Sequence, residues 1–130
     1  MTLTDDLHSL LRQPVSCYVT TLMPDGSPQV TQTWVDTDGT SVLINIVGGS
    51  QKSRNIARDP RVAVAIADPD NPSRYLAVRG TVTAVTTGGG VEHIEELAQK
   101  YTGGPYPWYG GRDQVRERVT IRIDRLIGQG

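Results

Sequence analysis

Hydrophobic positions along the chain alternate in short blocks separated by Gly, Pro, Asp and Ser, with blocks of helical period at the start and near the end. Thr2 or Thr4 can cap a first turn that carries Asp5 and Asp6, and Leu7, Leu10 and Leu11 follow at helical spacing before Pro14, which predicts a short amphipathic helix. Val15 to Leu22 is β-branched or alternating, Pro24-Asp25-Gly26-Ser27 supplies turn chemistry, and Gln29 to Val35 resumes the alternation, so this region predicts a β-hairpin. In its second strand Val30, Gln32 and Trp34 share one face and Thr31, Thr33 and Val35 the other. Polar groups on both faces suggest that one of them meets a ligand or another subunit. Asp36-Thr37-Asp38-Gly39 reads as the next turn and Ser41 to Val47 as the third strand of a meander.

The apolar runs Val42 to Val47 and Val62 to Ala67 are joined by Gly48-Gly49-Ser50-Gln51-Lys52-Ser53-Arg54-Asn55-Ile56-Ala57-Arg58-Asp59-Pro60-Arg61. Ser50 can cap a helix by accepting from amides two or three residues on, and Asp59-Pro60 ends it about two turns later. Val62 to Ala67 is apolar on both faces, as expected of a strand buried on both sides. After Asp68-Pro69-Asp70-Asn71-Pro72 breaks that strand, Arg74 to Val85 predicts a long one. Leu76, Val78, Val82 and Ala84 would point inward, Tyr75 and Arg79 outward, and Gly80 would form the bulge that bends it around a barrel corner. Val91, Ile94, Leu97, Ala98 and Tyr101 set a helical stripe over Gly90 to Tyr101, and Arg118 to Ile127 alternates Val119, Ile121 and Ile123 against polar residues. Strands in hairpin order with only short helices predict a mainly β, six-stranded antiparallel barrel.

Composition narrows the class. A chain of 130 residues predicts one domain, and with no Phe, two Trp and 14 Gly its core must rest on Val, Ile, Leu and Ala. The net charge of −1 provides no field for nucleic acid or an anionic membrane. Cys17 is the single cysteine, and neither a signal-peptide core nor a membrane-length apolar run is present, so a soluble cytoplasmic protein is expected.

The chemistry concentrates in the connector. Lys52 and Arg54 fall in the first turn of its helix, where the helix dipole opposes cations and welcomes anions. Free amides, serine hydroxyls and two cations in one turn can cradle phosphate or carboxylate, and the same composition also suits a solvated basic turn. It is not a Walker A loop, because Gln51 stands where the glycine before the Lys-Ser pair is needed, and no strand runs into a dinucleotide-binding glycine pattern. His8 and His93 fall at exposed helical positions without a nucleophile or metal partner in the sequence, and Cys17, in phase with Val15 and Val19, reads as a core thiol. The segment from Thr102 to Gly111 combines glycines with Tyr106, Trp108 and Tyr109 and suits a mobile lid stacking on a flat ligand, or a loop whose aromatics seal the barrel end. Trp34, in phase with Val30, reads as core or interface.

Three ordered motifs, Asp25-Gly26-Ser27-Pro28, Lys52-Ser53-Arg54-Asn55-Ile56-Ala57-Arg58-Asp59-Pro60-Arg61-Val62 and Tyr75-Leu76-Ala77-Val78-Arg79-Gly80, resemble the pyridoxamine 5'-phosphate oxidase-like split-barrel family. The Lys-x-Arg-Asn helix followed by Asp-Pro-Arg is similar to the branch that uses the deazaflavin coenzyme F420. The resemblance implies a split β-barrel homodimer with a cofactor in each interface groove and a planar or conjugated small molecule as substrate. By position, Lys52 with Ser50 and Ser53 would hold the cofactor phosphate, Thr31, Gln32 and Thr33 would line the ring system, Tyr75 would reach the ring edge or side chain, and Asn55 would complete the set. Ser50 departs from the family pattern, since many relatives carry a basic residue there. An FMN enzyme of the oxidase type and a non-catalytic cofactor-binding barrel are the alternatives.

Overall fold

The computed structural model describes residues 4–129, and Thr2, one of the two cap candidates, lies outside the described residues. The elements run α1 (Asp5–Leu11), β1 (Ser16–Leu22), β2 (Pro28–Thr33), β3 (Val35–Thr37), β4 (Val42–Val47), α2 (Gln51–Arg58), β5 (Arg61–Asp68), β6 (Asn71–Thr86), α3 (Gly90–Thr102) and β7 (Arg116–Gln129). Thr4 caps α1 by accepting from the Leu7 amide, and Ser50 caps α2 by accepting from the Ser53 amide. Each cap satisfies an amide that the helix itself leaves without a partner.

All seven strands pair antiparallel in the order β2-β1-β5-β6-β7-β4-β3. The two edge strands are consecutive in the chain, separated by Trp34 alone. The stretch from Pro28 to Thr37 therefore pairs with β1 through its first part and with β4 through its last, which closes the sheet as a split barrel. The seventh strand arises from this bend in what the alternation marks as one strand. Asp36 and Thr37, expected in a turn, belong to β3, and the turn begins at Asp38, whose carboxylate accepts from the amides of Thr40 and Ser41.

Inside the barrel Cys17, Val19, Val35, Ile44, Ile66, Val119 and Ile121 are almost fully buried, and α1 plugs one end with Leu7, Leu10 and Leu11. In β5 only one face is covered: Val62, Val64 and Ile66 are buried, whereas Ala63 and Ala65 are exposed, against the expectation of a strand buried on both sides. Register explains this, since Ala63 and Ala65 lie in rows with Thr20 and Tyr18 on the outer surface of the sheet. Gly80 sits at the expected irregularity, where the β6–β7 register shifts, and a Cβ there would come within 2.6 Å of the Arg122 carbonyl oxygen. Ala84, expected inward, lies beyond a second shift after Val82 and is exposed.

Helix α3 is rotated relative to its expected stripe. Val91 is exposed, and Gly90, His93, Ile94, Leu97 and Ala98 face the sheet. The cause is close approach at its start: a Cβ on Gly90 would meet the Arg116 carbonyl oxygen at 2.0 Å, so only glycine lets this turn press against β7. At its other end Tyr101 Oη donates to the Val15 carbonyl and accepts from the Val35 amide, and Lys100 donates to the Leu11 and Val35 carbonyls.

Candidate active site

The bend at Trp34 opens a cleft of about 470 Å³ between β1, β2, β4, β7, α3 and the loop after α3. Ser16, Gln32, Thr33, Trp34, Tyr101, Tyr106, Tyr109 and Arg116 are among the residues that line it. Trp34 stacks on Tyr101 with centroids 5.2 Å apart and planes at 13°, and Tyr106 meets Trp34 edge-on at 6.2 Å. Tyr106 is held by its own amide, which donates to Glu95 Oε1 at 2.6 Å. These rings belong to a second hydrophobic cluster with Ile94, Leu97 and Ala98, separate from the barrel core. Trp34 is thus both a packing residue and a cleft wall.

Lys52 stands beside this cleft. Its ammonium donates to Thr31 Oγ1 at 2.9 Å, and Thr31 lies two residues before Thr33 on the same face of β2, about 7 Å along the strand. Burial lowers the Lys52 pKa, and the nearby Arg116 charge adds to that effect. Among the described residues no carboxylate lies within ion-pair distance of either Lys52 or Arg116, although Arg12, Arg61, Arg74, Lys100 and Arg122 all have one. A cation partly removed from water without a counter-charge is costly, and an anion bound beside either one would lower that cost.

The other expected site residues divide. Ser50 Oγ is engaged as the α2 cap but keeps its own proton to donate, whereas Ser53 Oγ donates to Glu117 Oε1 at 2.8 Å. Asn55 is fully buried and spends its amide inside the protein: Nδ2 donates to Thr21 Oγ1 at 3.0 Å, and Oδ1 accepts from Gln51 and Arg58. It ties α2 to the first hairpin and faces no open space. Tyr75 is 45% exposed on the outer face of β6 and pairs with Ala67, which in turn pairs with cleft-lining Ser16. It therefore lies two strands away from the cleft within one chain. Of the loop aromatics, Tyr106 is buried, Trp108 is half-buried outside the cleft, and Tyr109 is 76% exposed at its mouth.

Other residues around the cleft carry little local mark in the sequence. Arg116 precedes the alternation that marks β7, and Asn45 sits in an otherwise apolar strand, a polar interruption that was the available signal. His93, expected at the surface, is buried with Nδ1 3.1 Å from Asn45 Nδ2. Burial, reinforced by Arg118, pushes its pKa down to about 4, which leaves it neutral near pH 7. Cys17 is buried as expected and its thiol is pushed up to about 12 by desolvation, so it is no nucleophile. No group of three or more His, Cys, Asp or Glu side chains among the described residues is placed to hold a metal ion, and no described helix is long and apolar enough to cross a membrane.

The family model for pyridoxamine 5'-phosphate oxidase matches residues 3–126. The chain belongs to this family. Membership places it among oxidoreductases built on a barrel that takes flavin-type cofactors. Of solved structures, an F420 reductase is 32% identical, with a TM-score of 0.85 over 98% of this chain and 100% of that one. A conserved hypothetical protein from Mycobacterium tuberculosis, 23% identical, superposes with a TM-score of 0.76 over 97% of this chain and 84% of that one, a likeness of fold. Among curated proteins none matches in sequence.

Proposed function

We propose that the protein is an F420-dependent reductase of a conjugated small molecule, working as a homodimer. The observation that carries this reading is Lys52, a partly desolvated cation whose only described partner is a neutral hydroxyl, beside a cleft wide enough for a flat ring system. Lys52 and Ser50 would hold the cofactor phosphate, and Thr31, Thr33 and Gln32 would flank its ring. Ser53 is less available, because its hydroxyl already donates to Glu117, and Asn55 supports the helix from behind.

Reduced F420, when bound, would supply the hydride, so the chain need provide only position and a dry wall. Trp34, Tyr101 and Tyr106 exclude water from one side of the cleft. Acid–base groups are not poised there: His93 is neutral and hidden, Cys17 stays protonated, and the Tyr101 hydroxyl is raised by burial and tied to two backbone groups. The proton that completes a reduction comes from solvent or from the Tyr109 hydroxyl at the mouth.

The second subunit has a place to go. Across the outer face, register sets Gln32, Tyr18, Ala65, Ala77 and Ile127 in one row, with Val30 and Tyr75 nearby, and Tyr18, Val30, Tyr75 and Ile127 are all more than 40% exposed. An apolar face of this kind marks an interface, and a partner seated on it would bring a second Tyr75 toward the cleft. Titration with F420 and with FMN, followed by fluorescence and with the oligomeric state read by light scattering, tests the proposal. We expect a dimer that binds F420 more tightly than FMN. FMN binding without F420 binding favours the oxidase-type alternative, and binding of neither removes the proposal.

A further inference from the structure

Arg116, the first residue of β7, is only 8% exposed. Its Nε donates to Asn45 Oδ1 at 2.8 Å, and its guanidinium lies 5.4 Å from the centre of the Tyr106 ring. Asn45 has no freedom to turn away, because its own NH2 donates to the Gly90 carbonyl at 2.9 Å and to His93 Nδ1 at 3.1 Å. The amide oxygen therefore faces the arginine and sets the direction of the guanidinium plane. Both Nη nitrogens are left without an acceptor among the described residues, and neither is sealed inside the protein. Arg116 itself forms part of the cleft wall.

A guanidinium steered by a neutral amide and left with its fork empty matches a planar, bidentate anion better than a spherical one. The surroundings narrow the choice further. Trp34 and Tyr101 lie nearly parallel and Tyr106 stands edge-on to Trp34, so the walls favour a flat ring. Among the described residues Arg116 is the one cation lining this cleft, which suits a single negative charge.

We infer that Arg116 is a specificity-determining residue of the cleft, and that the molecule reduced there is a flat, conjugated carboxylate, its carboxylate on the Arg116 fork and its ring against Trp34 and Tyr106. The inference rests on the reductase reading above, with the cleft holding substrate as well as cofactor. The carboxylate stays on the arginine throughout the reaction and exchanges no atoms with it.

The test is isothermal titration calorimetry of the intact protein with trans-cinnamate, with neutral cinnamamide and with inorganic phosphate, each in the absence and presence of saturating F420. Cinnamate should bind at least about tenfold more tightly than cinnamamide or phosphate, as expected when one charge-assisted pair is made or lost. Arg116→Met should weaken cinnamate by about ten- to a hundredfold and leave cinnamamide nearly unchanged. Arg116→Lys keeps the charge, loses the fork, and should fall between the two; it carries the test if the methionine variant loses its near-ultraviolet circular dichroism. Equal binding of acid and amide, parent-like cinnamate affinity in either variant, or no cinnamate binding in either state would overturn the inference. So would competitive displacement of cinnamate by F420, which would give Arg116 to the cofactor, or by equimolar phosphate, which would make the site a general anion trap. The F420 titration of the parent stands apart from these arms, so a failure of the reductase reading is seen separately.

Discussion

Replacing Lys52 by methionine should move two measurable quantities in opposite directions. In the protein without cofactor, the ammonium is partly buried, its charge is opposed by burial and by Arg116, and the nearby Cys17 is a neutral thiol that offers no compensation. What it gains from the chain is one hydrogen bond to Thr31 at 2.9 Å. Losing that bond costs about 1 kcal/mol. Relieving an uncompensated, partly solvated charge returns a similar or somewhat larger amount, because a charge held partly out of water without a partner is disfavoured and methionine carries none. The methionine variant should therefore be as stable as the parent or up to about 1 kcal/mol more stable, a rise in Tm of roughly 3 to 5 °C for a domain of this size. Affinity for F420 should fall about ten- to a hundredfold, the worth of one charge-assisted bond to phosphate. Urea unfolding at neutral pH and cofactor fluorescence read the two quantities independently. Arg58→Ala is the control on the same helix: its guanidinium bonds the Leu22 carbonyl and Asn55 Oδ1, so its loss should destabilise by about 1 kcal/mol and leave binding near native. A Lys52→Met protein that is clearly less stable and binds F420 as the parent does would make this lysine a structural residue and refute the reasoning.

Asn55→Ala should be costly without touching the cleft directly. It leaves a hole between α2 and the first hairpin and strands the polar groups of Thr21 and Gln51, so a loss of about 3 kcal/mol is expected as a lower urea midpoint at unchanged slope. His93 should make stability fall with acid. Its pKa is about 4 in the folded chain against 6.5 without the fold, chiefly through burial, with Arg118, Arg116 and Lys100 opposing its charge and Asp36 favouring it. The unfolded chain takes up a proton first, so stability is fully present above about pH 6.5 and declines as pH falls to about 4, by up to roughly 3 kcal/mol. Urea midpoints of the parent and His93→Gln across that window should converge toward low pH; parallel curves would show that His93 titrates normally.

Alternation, caps and turn chemistry made most of the barrel legible. Ser50 and Thr4 cap where their side chains suit it, the Asp59-Pro60 pair ends α2, and Gly80 marks the close crossing over β7. The errors have a common cause, which is that neighbours distant in sequence overrode the local pattern. Trp34 carries no glycine or proline to announce a bend, and the bend follows from the chain leaving β1 for β4. His93 lies off the stripe set by Val91 and Ile94, yet the contact at Gly90 turns the helix so that His93 faces Asn45 while Val91 faces water. Ala63 and Ala65 looked buried because alanine is apolar, and in one chain their row is open.

The candidate site was less legible than the fold because it is defined by missing partners, and a missing partner is a property of the folded neighbourhood. Lys52 is marked in the sequence by its place at the start of a helix, a feature of one turn. Arg116 had no such local mark, and only the assembled sheet shows that it is buried while its Nη atoms lack an acceptor. Exposed arginines without a partner carry little information, since water screens them and an exposed pair is worth only about 1 kcal/mol or less. Burial changes the weight of the same observation. Arg12, Arg61, Arg74, Lys100 and Arg122 reach carboxylates, whereas Lys52 and Arg116, both opposed by desolvation, reach a hydroxyl and an amide. Neither cation belongs to the apolar core of the barrel. On the reading proposed above each cation holds an anion, the cofactor phosphate at Lys52 and the substrate carboxylate at Arg116, and the roughly 7 Å of β2 between the partner of Lys52 and the cleft wall leaves room for two neighbouring ligands.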